Sequence, residues 1–223
     1  MIEDTTYEIP FPLDKYYGYV IIGTGGVGGH IAIQLASLLN HYKTYIGFPV
    51  EPFIVLIDYD IVDNRFLNRI PELYMYEYAY GEKKVEVLKD YIQTAVKWRF
   101  VKVFAEKFND KLADSLCKYF IQNYFSIIAV DSIPARKEVE SILKDYKKPF
   151  IHIGFDNHRL TIFKSVQDGV IIDMDTTQNQ RQSSYMTPPT PFELRYASIK
   201  ALESIIDIPI GVYNELEDTI ISR

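Results

Sequence analysis

The sequence predicts an α/β fold: a mainly parallel sheet with helices on both faces and antiparallel strands toward the C-terminus. Two observations predict it. Short, wholly apolar runs recur along the chain, as strands buried on both faces require. Each is followed by a segment whose apolar residues return at helical spacing, and such alternation implies parallel strands joined by crossover helices. With 48% apolar residues, a chain of 223 residues has enough to fill one large core.

Residues 19–22 (YVII) form the first predicted strand and run directly into glycine-rich sequence. A helix follows over about residues 27–39, where Val27, Ile31, Ala32, Leu35, Leu38 and Leu39 share one face. Residues 40–52 read as an insertion before the second strand, residues 53–57 (FIVLI), which ends at Asp58. Residues 82–96 read as a helix with Val85, Leu88 and Ile92 on one stripe, residues 100–104 as a strand, and residues 110–121 as a helix. Residues 126–130 (SIIAV) predict the next buried strand, ending at Asp131. Ser132 then has the character of an N-cap, with Pro134 in the first turn of a helix reaching about Tyr146. Residues 150–155 predict a further strand, and residues 160–166 and 170–172 flank a hairpin turn at Gln167-Asp168-Gly169. Polar, proline-bearing sequence over residues 173–191 reads as a long loop. Thr190-Pro191-Phe192-Glu193 is a capping box that opens a last helix to about Ile205.

Composition narrows the function classes. The 24 basic and 30 acidic residues leave a formal charge of −6, which argues against a nucleic-acid surface. A single cysteine, Cys117, excludes an internal disulfide and a four-cysteine zinc site. Without a membrane-length apolar run or a basic-then-apolar leader, the expectation is a soluble, cytoplasmic protein. Cys117 shares a helix stripe with Leu116 and Phe120 and reads as apolar packing. The four histidines lack metal-ligand spacing: His152 reads as a core residue, and His30 follows the glycines closely enough for a phosphate contact as its minor reading. Tyr74, Tyr76, Tyr78 and Tyr80 alternate as in a half-buried strand or packed loop, with a dimer or peptide surface as the functional alternative.

Gly23, Gly25, Gly26 and Gly28 form the pattern GxGGxG between the first strand and first helix. Glycines there let the backbone turn tightly and approach phosphate oxygens, whose charge suits the helix N-terminus. This is the opening of a Rossmann-like nucleotide site. Asp58, at the end of the second strand, is placed to accept hydrogen bonds from a ribose. Its separation from Gly28 exceeds the ~20 residues usual in dinucleotide sites, and on these residues alone NAD and ATP are equally supported.

Residues 54–69 (IVLIDYDIVDNRFLNR), 81–88 (GEKKVEVL) and 127–136 (IIAVDSIPAR) follow the glycine loop in order. In sequence and spacing the set resembles the ThiF/MoeB/HesA family of E1-like ubiquitin-activating adenylyltransferase domains, over residues 19–163. That family carries GxGGxG, a D-x-D strand end, S-N-L-x-R, G-x-x-K and D-N-x-x-x-R. The resemblance implies an ATP-binding adenylation domain over residues 1–172. Residues 173–223 would supply a crossover-type loop and a C-terminal helix packed on the same domain. It implies ATP and Mg2+ as cofactors, with residues 23–28, Asp58 and Asp60 binding the nucleotide. Arg69 and Lys84 would neutralise phosphate charge, Asp131 would position Mg2+, and Arg136 would be a secondary support. It further implies a homodimer and, as partner, a small ubiquitin-like protein or a peptide whose C-terminal carboxylate becomes an acyl adenylate. The alternative is a catalytically degenerate nucleotide-binding or scaffold protein of the same fold; an NAD-dependent oxidoreductase is the remaining reading. Two departures bear on this. Arg65-Phe66 stands where the family has S-N, which leaves Arg65 or Asn64 to replace a lost polar contact, and residues 1–18 offer no arginine to a partner subunit. The family's zinc-binding cysteine pairs and thioester-forming cysteine have no counterpart, marking a short, zinc-free member.

Overall fold

The computed structural model describes residues 16–48, 50–120, 123–156, 159–165 and 189–206. At the centre of the sheet lies β1 (Gly18–Ile22), flanked by β2 (Phe53–Ile57) and β4 (Tyr124–Ile128), both parallel to it. Every residue of β1 is buried, which is why its sequence is continuously apolar rather than alternating. β3 (Val101–Phe104) extends the sheet beyond β2, and β5 (Phe150–Asp156) extends it beyond β4, again in parallel. β6 (Arg159–Ser165) pairs antiparallel with β5 at the edge, completing the order β3-β2-β1-β4-β5-β6. The hairpin expected at residues 167–169, the strand at 170–172 and the loop up to residue 188 lie outside the described residues.

Side chains of successive strand residues point to opposite faces, so β1 feeds two cores. Tyr19 and Ile21 enter one core with α1 (Gly26–Tyr45), α2 (Asn64–Arg69), α3 (Lys84–Tyr91) and α6 (Pro191–Ile206). Val20 and Ile22 enter the other, with α4 (Asp110–Ser115) and α5 (Ile133–Asp145). The helices therefore cover both faces, and α6 lies against α1.

Several boundaries differ from expectation. α1 continues six residues beyond Leu39, to Tyr45, so much of the supposed insertion is helix. Asn40 donates to the carbonyl of Val96 at 3.2 Å, and partly buried Tyr42 packs on the core, so tertiary contacts carry the helix onward. The predicted helix over residues 82–96 begins at Lys84 and passes into a wider π turn at Ile92–Val96, closed by Lys97 in the left-handed region (φ 68°). Pro71–Ala79 is a 3₁₀ helix rather than a strand, with Ile70 and Leu73 buried beneath it. β4 ends at Ile128 instead of Val130. Ala129 and Val130 leave the sheet to pass over Gly23, placing Asp131 three residues beyond the strand.

Candidate functional site

The strand order reverses between β1 and β4, since β2 and β3 lie on one side and β5 on the other. Connections leaving β1 and β4 consequently diverge, and a crevice opens at their carboxyl ends, where open α/β sheets bind ligands. A cavity of about 610 Å³ occupies that place, within the ~300–1,000 Å³ of small-molecule sites.

Gly23 begins the loop with φ +90°, and a Cβ there would stand 2.8 Å from the Val130 nitrogen. Only glycine meets both demands, and the result is a backbone turned sharply at the mouth of the crevice. A Cβ on Gly28 would strike the Gly23 carbonyl, so this residue closes the loop on itself and does not line the cavity. Gly25 has nothing within 4 Å of its absent Cβ, and both it and Gly26 line the cavity. The open space at Gly25 leaves room beside the N-terminus of α1 for an anion, while the space at Gly26 is taken by Leu194 and the Arg69 stem.

Asp58 is fixed across this loop. Its Oδ2 accepts from the Thr24 backbone N–H at 2.7 Å and from the buried Thr24 hydroxyl at 3.0 Å, while Oδ1 accepts from the Asp60 N–H at 2.9 Å. Asp60 in turn accepts from Lys84 Nζ at 2.7 Å. Lys84 opens α3, and its side chain is 13% exposed, with Nζ 5.6 Å above the Phe66 ring. Arg69 is the last residue of α2, a helix capped by Asp63, whose carboxylate accepts from the Phe66 N–H at 2.8 Å. Partial burial pushes the Asp63 carboxyl up, but the Phe66 N–H and the Arg65 guanidinium outweigh it and hold it below the usual range.

Asp58, Asp60, Arg69, Lys84 and Asp131 all line the one cavity with Gly23, Gly25 and Gly26. Asp131 is exposed there, just before the Ser132 cap of α5. Arg136 also lines it, donating through Nε to the Val130 carbonyl at 2.8 Å. Its guanidinium lies against Gly154, where a Cβ would sit 2.5 Å from Nη1. Arg65 and Asn64 do not reach the cavity: both are exposed, and Arg65 Nε donates to Asp63 at 2.9 Å. Phe66 is 3% exposed and faces the core.

His30 does not line the cavity either; its Nε2 lies 2.8 Å from the Arg69 carbonyl. Burial, opposed by that hydrogen bond and aided by nearby Arg195, lowers its pKa to about 4. His152 is buried 3.1 Å from Glu140. Cys117 packs on the second core with its Sγ 3.8 Å from the Tyr124 hydroxyl. Sequence reasoning missed Lys107, whose Nζ donates to both carboxylate oxygens of Glu138 at the cavity rim. The strand-end position just after β3 was the available signal. It also missed Leu194, which α6 brings to the cavity from far along the chain, beside Pro189 at the end of the expected crossover-type loop.

No group of three histidine, cysteine or acidic residues poised for a metal occurs among the described residues. Magnesium does not need one, because it is commonly held by one or two carboxylates together with phosphate oxygens and water. The exposed Asp131 carboxylate fits that role. No helix among the described residues is long and apolar enough to cross a membrane.

The chain matches the ThiF family over residues 15–164. No curated protein matches it. Among solved structures, E. coli MccB is similar with a TM-score of 0.61 and 20% identity, covering 87% of this chain and 55% of that one. MccB from E. coli solved with AMPCPP and MccA gives 0.63 at 21% identity, covering 87% and 56%. PaaA gives 0.57 at 23% identity, covering 87% and 57%. At such identities the likeness shows a shared fold, and the chain spans little more than half the length of these relatives.

Proposed function

The chain belongs to the ThiF family, and on that premise we propose that it is an ATP- and Mg2+-dependent adenylyltransferase that activates the C-terminal carboxylate of a small ubiquitin-like protein or peptide. One observation carries this reading: the glycine loop, both aspartates of the D-x-D strand end, Arg69, Lys84 and Asp131 line a single cavity at the reversal of the sheet. AMPCPP and MccA together on the similar MccB support a nucleotide and a second molecule sharing such a site.

Residues 23–28 and the N-terminus of α1 would hold the phosphates, and Asp58 and Asp60 the ribose. A carboxylate oxygen of the partner attacks the α-phosphorus, the bond to the bridging β-phosphate oxygen breaks, and pyrophosphate leaves with that oxygen. Arg69 and Lys84 bring positive charge to phosphate oxygens whose negative charge grows in the transition state. Lys84 does so by exchanging its bond to Asp60 for one to phosphate. Asp131 would hold the magnesium ion, which when bound would supply Lewis-acid neutralisation of phosphate charge. A homodimer in the cytoplasm is part of this proposal, carried by the family resemblance.

A second reading has one observation in its favour. Where the family motif has an amide, Phe66 is buried in the core, and neither Asn64 nor Arg65 replaces it at the cavity. A nucleotide-binding protein without transferase activity would have that character. ATP–pyrophosphate exchange, with calorimetric ATP binding alongside, separates the two. For the enzyme, exchange appears only with a carboxylate partner and drops about a hundredfold in Lys84→Ala and Asp131→Ala. Tight ATP binding without exchange across a panel of partners ending in glycine would establish the scaffold. Preference for NAD over ATP would overturn both.

A further inference from the structure

We propose that His30 is a positioning residue: it holds the main chain of Arg69 so that the guanidinium stays in the cavity beside the glycine loop. The inference rests on the nucleotide reading above, and concerns how this chain builds that site. α2 has six residues, too few to keep a helix in place unaided. Its final carbonyls have no partner within the helix. The first two turns of α1 provide what is missing, through three side-by-side contacts. The Arg69 stem passes so close to Gly26 that a Cβ there would be 3.2 Å from Cδ. Ile70, fully buried, fills the space over Gly29, where a Cβ would collide with its Cδ1. Between them His30, 1% exposed, bonds the Arg69 carbonyl through Nε2 at 2.8 Å.

A carbonyl oxygen can only accept, so Nε2 carries the proton and donates. Burial keeps the imidazole neutral through ordinary conditions, so it holds this bond without bringing a competing positive charge beside Arg69. Both elements that would bind phosphate, the loop and Arg69, are thus referenced to the same two turns of one helix. The guanidinium still has a long flexible stem, and fixing its Cα removes the largest part of its search.

The test is a double-mutant cycle of His30→Leu with Arg69→Ala, read on ATP affinity and on exchange. If His30 acts through Arg69, His30→Leu weakens ATP binding about tenfold in the wild-type background and by less than about twofold when Arg69 is alanine. His30→Gln, whose amide nitrogen reaches the same place as Nε2, restores binding to within about threefold of wild type. An equal loss in both backgrounds, or no loss in His30→Leu, would overturn the proposal. Should His30→Leu fail to fold, Gln against the shorter Asn makes the same comparison. NMR relaxation of the Arg69 side-chain Nε–H provides a readout without nucleotide: its order falls in His30→Leu and persists in His30→Gln. Absence of exchange, with the cycle and the relaxation behaving as stated, would sink the adenylation reading and leave the positioning role standing.

Discussion

Phe66 occupies the position of an asparagine in the family motif, and its surroundings explain how the chain tolerates the change. The ring lies in the core at 3% exposure, and its face is turned to the ammonium of Lys84 at 5.6 Å. Such a cation–π contact is worth ~0.5–2 kcal/mol depending on desolvation. Lys84 is thereby held from two sides, by the ring and by Asp60. Restoring the family residue as Phe66→Asn would bury an amide among apolar side chains and remove the ring. A stability loss of ~3–5 kcal/mol is expected, measurable as a lower urea midpoint. Exchange per folded molecule should not increase, because position 66 faces the core and does not line the cavity. A tenfold gain in exchange would show instead that the missing amide limits the chemistry.

At the scale of elements, legibility followed how local the determinants are. β2, the Ser132 cap and the Thr190–Glu193 capping box were readable because a few neighbouring residues specify each. The box forms as read, with Thr190 N–H and hydroxyl donating to Glu193 Oε2 at 2.7 and 2.8 Å and the Glu193 N–H returning to Thr190 Oγ1 at 3.2 Å. Asn109 caps α4 through Leu112 N–H at 2.9 Å, a signal present in the sequence but masked by the polar run around it. The tyrosines of residues 74–80 alternate like a strand, yet burial of Ile70 and Leu73 draws the segment into a 3₁₀ helix. β4 was misplaced by two residues because Ala129 and Val130 are apolar for the sake of Gly23 and the cavity, not of the sheet. The strand-end aspartates were legible as site candidates, and Lys107 had its place just past β3 as a signal, whereas Leu194 at the cavity and the bond of His30 to Arg69 depend on contacts no local pattern encodes. α6 shows the consequence. Leu194 in its first turn meets Gly26, where a Cβ would be 2.7 Å from Cδ1, so the cap of α6 also supports the glycine loop. Thr190→Ala should cost ~1 kcal/mol of stability and weaken ATP binding severalfold at the same time. Melting and calorimetry check the pair; a loss of stability with unchanged ATP affinity would show that α6 has no part in the site.

For the whole molecule, helices on both faces of the sheet give each face one buried histidine among the described residues. His30 lies on the α1 side, bonded to Arg69, and His152 lies under α5, 3.1 Å from Glu140. Burial pushes both imidazoles down, His30 to about 4, and at His152 it outweighs the opposing pull of Glu140. The unfolded chain regains ordinary imidazoles with pKa about 6.5, so in the window between the two values it binds protons that the folded chain refuses. Stability from neutral burial is therefore fully present above about pH 6.5 and is lost as pH falls toward 4. For His30 the linkage amounts to about 2 kcal/mol between pH 7 and pH 5. Glu140 and Asp63 are held below the usual carboxylate range, so their contribution is present above ordinary carboxylate values and disappears at lower pH, outside most of this window. Urea midpoints at pH 7, 6 and 5 isolate the part due to His30 when wild type is compared with His30→Gln, whose amide cannot titrate but can keep the bond to Arg69. Wild type should lose stability more steeply than the variant over that range, with the gap closing toward pH 7. Parallel curves would mean that His30 protonates as readily in the folded chain as in the unfolded one, and that acid opens the molecule at another point.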